Sequence, residues 1–115
     1  MVAAKRRVWA GTPDYSSPEM HKSPLNALPR YGYKSDIWSL GILLHEMTTG
    51  YRPLFALKNN YDKIFYLKNL QHDLPIDRNV SSGVYDAMKR CLRLRPKYRP
   101  TAEHLRLHSY VVNGY

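Results

Sequence analysis

Length, composition and charge exclude several classes of protein for this chain. It has 115 residues, of which 43% are hydrophobic, and this favours a single globular domain over a disordered chain. Eighteen Lys and Arg against nine Asp and Glu give a formal net charge of +9. Such a charge suits nucleic acid or acidic peptides, but the basic residues are scattered along the sequence without interleaved aromatic side chains. We therefore predict no nucleic-acid partner.

The cysteine content and the distribution of apolar residues indicate a cellular compartment. Cys91 is the only cysteine, which excludes an internal disulfide framework and favours a reducing environment. The first eleven residues carry no apolar stretch of the kind that a signal peptide needs. The longest apolar run is far shorter than the roughly 18 residues that a membrane span requires. We expect an intracellular protein, cytoplasmic or nuclear or both, without a membrane partner.

Two irregular segments, residues 1–19 and 20–34, open the chain. Neither has a helical or strand period, and both are interrupted by residues that break regular structure. Those residues are Gly11, Pro13, Pro18, Pro24, Pro29 and Gly32. The pattern predicts ordered loops that lead into the first helix.

Residues 34–50, KSDIWSLGILLHEMTTG, are predicted to form the central helix of the fold. Ser35 or Asp36 can cap its N-terminus, and Gly50 suits the left-handed turn that closes many helices. Gly41 removes a side chain in mid-helix, which predicts close packing there. The apolar positions are Ile37, Trp38, Leu40, Ile42, Leu43, Leu44 and Met47. Because they surround the helix, we predict that it is buried on all sides.

Three shorter helices are predicted after the central one. Asn60, Ser82 and Thr101 can each cap the N-terminus of one of them, and Leu74-Pro75 interrupts the chain between the first two. Their apolar positions are Tyr61, Ile64, Phe65 and Leu67; Val84, Met88, Cys91 and Leu92; and Ala102, Leu105 and Val111. No alternating strand is present in the sequence. The predicted fold is mostly α, with four main helices after an irregular leader.

Three motifs together resemble one family. They are GTPDYSSPE at residues 11–19, SDIWSLG at 35–41 and RPKYRPT at 95–101. In this order and spacing they are similar to the C-terminal part of the large lobe of a eukaryotic serine/threonine protein kinase domain. The resemblance runs from about Val8 to Val112, and it assigns no subfamily.

The resemblance implies that residues 1–115 are a partial kinase domain with the helical fold of the large lobe. Residues 1–19 would be the end of the activation segment and the substrate loop. Residues 34–50 would be the buried central helix, and residues 60–112 would be the closing helices.

The resemblance also implies roles for the residues of the substrate loop. Gly11, Thr12, Pro13 and Tyr15 would form the loop that receives the substrate residue next to the phosphorylated one. Thr12 would hydrogen-bond the catalytic aspartate, which favours a serine or threonine substrate. Ser17 stands where the family usually has the alanine of Ala-Pro-Glu. Without the resemblance, Thr12 could be an ordinary turn residue.

Four further residues take structural roles by the same resemblance. Glu19 would form an ion pair with Arg99, since a guanidinium can bind a carboxylate with two hydrogen bonds. Asp36 would accept backbone N–H bonds from the catalytic loop, and Trp38 would support that loop. The residues alone leave alternatives open, because Asp36 could be only a helix cap and the two charged residues could be solvated and unpaired.

Several parts of a catalytic kinase do not occur in the sequence. They are a glycine-rich G-x-G-x-x-G loop, a His-Arg-Asp catalytic loop and an Asp-Phe-Gly metal site. We therefore expect this chain alone to be inactive, with no catalytic residue, no cofactor and no metal of its own. ATP and magnesium are expected for the complete parent domain. His104 and His108 stand four apart, but no third ligand accompanies them, and we predict no metal site.

Two hypotheses about function follow. In the first, the chain is the C-terminal fragment of a kinase that transfers the ATP γ-phosphate to protein Ser or Thr, and it supplies the substrate loop and helical scaffold. Its partners would be the protein substrate and the rest of the kinase domain or a partner chain. In the second, it is a short, non-catalytic interaction module derived from a kinase. Under the first, apolar surface around Trp38 and Leu43 should be exposed in the isolated chain.

Overall fold

The computed structural model describes residues 13–22, 32–77 and 79–108. Its α-helices are α1 (Tyr33–Thr49), α2 (Asn60–Lys68), α3 (Ser82–Cys91) and α4 (Ala102–Arg106). Short 3-10 turns lie at Pro13–Tyr15, Pro18–His21 and Pro96–Tyr98. These ranges contain four helices and no strand, so the prediction of a mostly helical fold is confirmed.

The central helix α1 has one predicted end and one that differs. It begins at Tyr33 with Gly32 as its N-cap, so the prediction of Ser35 or Asp36 as the cap was wrong. The Ser35 hydroxyl donates a hydrogen bond to Glu19 instead, at 2.7 Å, and both candidate residues lie inside the first turn. At the other end Gly50 adopts a φ of 90° and its N–H donates to the Glu46 carbonyl, as predicted.

The other helices begin with side-chain caps. Asn59 and Ser81 cap α2 and α3, each one residue before the predicted cap, and they accept N–H bonds of 2.8 and 3.4 Å. Thr101 caps α4 as predicted, with a bond of 3.0 Å from the His104 N–H. Helix α4 ends at Arg106, and Val111 lies outside the described residues.

The core lies between α1, the end of α2 and the end of α3. Its buried residues are Trp38, Ile42, Leu54, Leu67, Leu70, Leu74 and Leu92. Gly41 lies against α3, where an added Cβ would be 2.7 Å from the Cβ of Cys91 and 2.9 Å from Cδ2 of Leu92. No larger side chain fits without displacement. The predictions of close packing at Gly41 and of a core position for Cys91 are confirmed.

One face of α1 is not buried. Leu40, Leu43 and Met47 are 44%, 42% and 73% exposed, so the prediction of a helix buried on all sides was wrong for this face. The expectation that Trp38 would be exposed was also wrong, because it is fully buried in the core beneath Arg99. The exposure of Leu43 agrees with the expectation. Apolar periodicity indicates which faces could be covered, but not which are covered.

Candidate functional site

The best-defined contact between the predicted site residues is the ion pair of Glu19 and Arg99. The two terminal nitrogens of Arg99 bind the two carboxylate oxygens of Glu19, at 2.8 and 3.0 Å. The Arg99 side chain is fully buried and the Glu19 side chain is 23% exposed. Burial alone raises the pKa of Glu19, but the hydrogen bonds and charge of Arg99 and the bond from Ser35 lower it below its ordinary value. Glu19 therefore stays ionised near neutral pH.

Arg99 also binds three backbone carbonyls. Its Nε donates to the Arg93 carbonyl at 2.8 Å, and its terminal nitrogens donate to the carbonyls of Lys34 and Leu94 at 3.0 and 3.2 Å. The guanidinium carbon lies 4.9 Å from the ring centroid of Trp38, within cation–π range. One buried side chain thus connects the turn at Pro18–His21, the start of α1 and the turn before α4.

A second network holds the segment that precedes Glu19. The Asp14 carboxylate is 2% exposed and binds Arg52 Nη1 and Lys63 Nζ, each at 3.0 Å. Arg52 also reaches Glu46 through its Nε, at 3.4 Å, and the Tyr15 hydroxyl donates to the other oxygen of the Glu46 carboxylate. Opposite charges are therefore matched one for one around the 3-10 turn at Pro13–Tyr15.

Tyr15 is fixed by further contacts on both its ring and its backbone. The guanidinium carbon of Arg52 lies 5.2 Å from the Tyr15 ring centroid, and the Ser39 hydroxyl donates to the Tyr15 carbonyl at 2.7 Å. The hydrogen bond to Glu46, together with burial, raises the pKa of Tyr15, and that same bond is the main cause of a lowered pKa of Glu46. The phenol therefore stays protonated and keeps donating.

The structure places the predicted site residues in different surroundings. Pro13 is buried and Tyr15 is half-buried, whereas Gly11 and Thr12 lie outside the described residues. Asp36 is exposed in the first turn of α1, and Trp38 is buried against Arg99. Nothing in the described residues brings an acid and a base together for proton transfer.

Sequence reasoning missed the residues that hold the substrate-loop segment in place. These residues are Asp14, Ser39, Glu46, Arg52 and Lys63. The partners of Asp14 are 38 and 49 residues away in the chain, so no local spacing could have revealed them. The only signal was the position of Asp14 inside the GTPDY motif.

The two histidines of the α4 region do not form a metal site with the residues around them. His108 Nε2 lies 2.6 Å from the Asp86 carboxylate, which also accepts a bond from Arg90. Burial raises the pKa of Asp86, but the bonds from His108 and Arg90 lower it overall. Across residues 13–22, 32–77 and 79–108, no three His, Cys, Asp or Glu side chains meet to hold a metal ion. This part of the chain therefore does not fit the magnesium that a kinase domain uses. Nor is any helix in the same ranges long and apolar enough to cross a membrane.

Comparison with known proteins identifies the class of protein that carries these motifs. The family model for the protein kinase domain matches residues 2–111. The chain therefore belongs to the protein kinase domain family.

Individual relatives are serine/threonine kinases by name. The chain is 36% identical over 90% of its length to the serine/threonine-protein kinase ppk11 of Schizosaccharomyces pombe, and this covers 31% of that protein. It is 39% identical over 88% of its length to the serine/threonine-protein kinase Nek6 of Oryza sativa subsp. japonica, covering 18%. It is 33% identical over 89% to mitogen-activated protein kinase kinase kinase 2 of Arabidopsis thaliana, covering 15%. The chain thus spans less than a third of these relatives.

Proposed function

We propose that this chain is the C-terminal part of a serine/threonine protein kinase domain whose parent transfers the γ-phosphate of ATP to protein Ser or Thr. The observation that carries the proposal is the bidentate pair of Glu19 and Arg99, which closes the SSPE and RPKYRPT motifs onto the start of α1. The match of the family model over most of the chain supports it further.

In this proposal the chain supplies the substrate loop and its scaffold. Gly11, Thr12, Pro13 and Tyr15 form the loop that receives the substrate residue next to the phosphorylated one, and Thr12 hydrogen-bonds the catalytic aspartate. The contacts around Asp14 and Tyr15 support this role because they fix the end of the loop to the helical scaffold. A fixed loop loses little conformational freedom when a substrate binds.

Asp36 and Trp38 act on the catalytic loop in different ways. Asp36 accepts backbone N–H bonds from that loop, which belongs to the rest of the domain, and its exposure at the start of α1 is compatible with this. Trp38 acts indirectly, because its ring packs under Arg99 and stabilises the same end of α1. The Glu19–Arg99 pair is structural and takes no part in the chemistry.

The chain by itself does not transfer phosphate in this proposal. The sequence contains no glycine-rich loop, His-Arg-Asp or Asp-Phe-Gly, and phosphoryl transfer depends on those parts for positioning and charge stabilisation. ATP and magnesium are held by the rest of the domain. The partners are the protein substrate and that remaining part, and the protein works inside the cell.

Phosphoryl transfer by two preparations tests the proposal. The first is the recombinant 115-residue chain, and the second is the native protein captured with an antibody against residues 56–74. Both are given γ-labelled ATP with Ser/Thr and Tyr peptides. We expect no label from the recombinant chain and label on Ser or Thr from the native protein. Label on Tyr alone, or transfer by the recombinant chain, would contradict the proposal, and an inactive native protein would favour the interaction module.

A further inference from the structure

Basic residues that are scattered in the sequence meet at two neighbouring hollows. One hollow, of about 380 Å³, lies between the end of α2 and the turn before α4, and the other, of about 360 Å³, lies beside it. The two share a wall of Gln71, Leu94 and Arg95. Lys89 and Arg93 also line the first hollow, and Lys22 lines the second. We call these two hollows with their shared wall the basic groove.

The positive charge of the basic groove is not used within the fold. None of its four basic residues forms an ion pair with a carboxylate of the described residues, and three of them, Lys22, Lys89 and Arg95, are exposed. The fourth, Arg93, is half-buried and donates to the Tyr98 carbonyl at 3.3 Å. Five other basic residues are paired with carboxylates: Arg52, Lys63, Arg90, Arg99 and Arg106.

Two carboxylates also line the groove, and both are already bound. Asp73 accepts the Leu94 N–H at 2.8 Å, and Glu19 is bound by the buried Arg99. Four cations therefore stand against two carboxylates, one of which is neutralised from below by a residue outside the groove. The excess of positive charge lies in a concave surface, where neighbouring protein weakens solvent screening and strengthens its attraction for an anion.

We propose that the basic groove binds an acidic, extended peptide segment of a partner protein. The hollows are small enough for one or two side chains each, so acidic side chains would enter both while the peptide backbone crosses the shared wall. Leu94 in that wall, Pro96 beside one hollow and Tyr98 beside the other give the backbone and its aliphatic groups an apolar surface. This site lies outside the substrate loop and does not depend on the function proposed above.

A nucleic acid fits this groove less well than a peptide. Binding of a phosphate backbone needs a continuous basic stripe, and single-stranded nucleic acid is held by aromatic side chains on which bases stack. Here the cations surround two separate hollows, and Tyr98 is the one aromatic residue that lines either of them. Carboxylates separated by an apolar wall match that arrangement.

Fluorescence anisotropy of a labelled octapeptide rich in Asp and Glu tests the proposal with the 115-residue chain. The test variant carries Lys89→Gln and Arg95→Gln, both exposed positions. The matched control carries Lys58→Gln and Lys68→Gln, which remove the same charge from exposed lysines that do not line the groove. Circular dichroism verifies that both variants fold. Arg95→Lys, which keeps the charge, serves as a second variant.

The expected result is binding that weakens with salt, about tenfold weaker binding by the test variant and less than about twofold weaker binding by the control. Arg95→Lys should bind within about twofold of the original chain. Equal losses in test and control variants would mean that only the total charge matters, and would overturn the proposal. Absence of binding at low salt would also overturn it. So would equal or tighter binding of a single-stranded DNA octamer that the test variant weakens equally.

Discussion

Arg99 binds both carboxylate oxygens of Glu19, at 2.8 and 3.0 Å, across 80 residues of sequence. No other pair of charged side chains in the described residues joins segments so far apart in the chain. The pair closes the start of the described chain onto the turn before its last helix. It is therefore the contact on which the arrangement of α1, α3 and α4 most depends.

Loss of either member of this pair should destabilise the fold strongly. Glu19→Gln and Arg99→Met each leave an unmatched group in a buried site, and we expect each to lower the free energy of unfolding by about 3–5 kcal/mol. A double-mutant cycle should show a coupling of at least about 1 kcal/mol. The exposed pair Glu103 and Arg106 is the control, and its removal should cost less than about 1 kcal/mol. Small, additive effects at Glu19 and Arg99 would contradict the structural role.

The same pair predicts how stability changes with pH. Because the pKa of Glu19 is lower in the folded chain than its ordinary value of 4.5, its ionised form stabilises the fold above that value. This contribution is lost as the pH falls through the lower, folded pKa. Urea unfolding from pH 7 to pH 3 should show a large difference between the original chain and Glu19→Gln at pH 7, and a smaller difference at pH 3. A difference that is independent of pH would argue against an ionised Glu19.

Cys91 should be unreactive in the folded chain. Burial raises the pKa of its thiol to about 11, against a small opposite effect of the Arg99 charge, and the residue is 1% exposed. Iodoacetamide at pH 8 should therefore label the folded chain far more slowly than the chain in 6 M urea. Mass spectrometry measures the labelled fraction over time. Equal labelling rates in the two conditions would show that Cys91 is not in a packed core.

Gly41→Ala should destabilise the chain although it improves helix propensity. In an open helix, alanine would stabilise by about 1 kcal/mol relative to glycine. Here the new methyl would meet the Cβ of Cys91 at 2.7 Å, and overpacking of this kind costs about 1–3 kcal/mol. The sign of the change in the free energy of unfolding, measured in urea, decides between the two effects. An increase in stability would mean that α1 and α3 are not in close contact at this point.

The isolated 115-residue chain should bind a hydrophobic dye. The exposed apolar residues lie on α1 and on α2 with the turn before it; they are Leu40, Leu43, Met47, Phe55, Tyr61 and Phe65. Exposed apolar surface of this extent on a small chain promotes association. Fluorescence of anilinonaphthalene sulfonate should rise on addition of the chain and fall for the double variant Leu43→Gln and Met47→Gln. A monomer that melts cooperatively without binding the dye would contradict the expectation.

Local sequence signals predicted most of the helices because each has its own period and caps. Gly50 and Thr101 act where they were expected. Asn59 and Ser81 displaced the predicted caps by one residue, because each is itself a good capping residue next to another one.

The long-range contacts were accessible only where a motif pointed to them. Glu19 and Arg99 could be paired through their motifs, whereas the partners of Asp14 could not, since Arg52 and Lys63 carry no signal of their own. The basic groove is a similar case. Lys22 and Arg95 are 73 positions apart, and only the folding of the chain places them beside one hollow.

The most direct measurement of the central proposal is the mass of the native protein in its own cells. An immunoblot with an antibody raised against residues 56–74 gives that mass. The account predicts a band far above the 13.5 kDa of this chain, because the remaining parts of a kinase domain would be joined to it. A band at 13.5 kDa alone would contradict the proposal and would make the protein a short, non-catalytic relative of kinases.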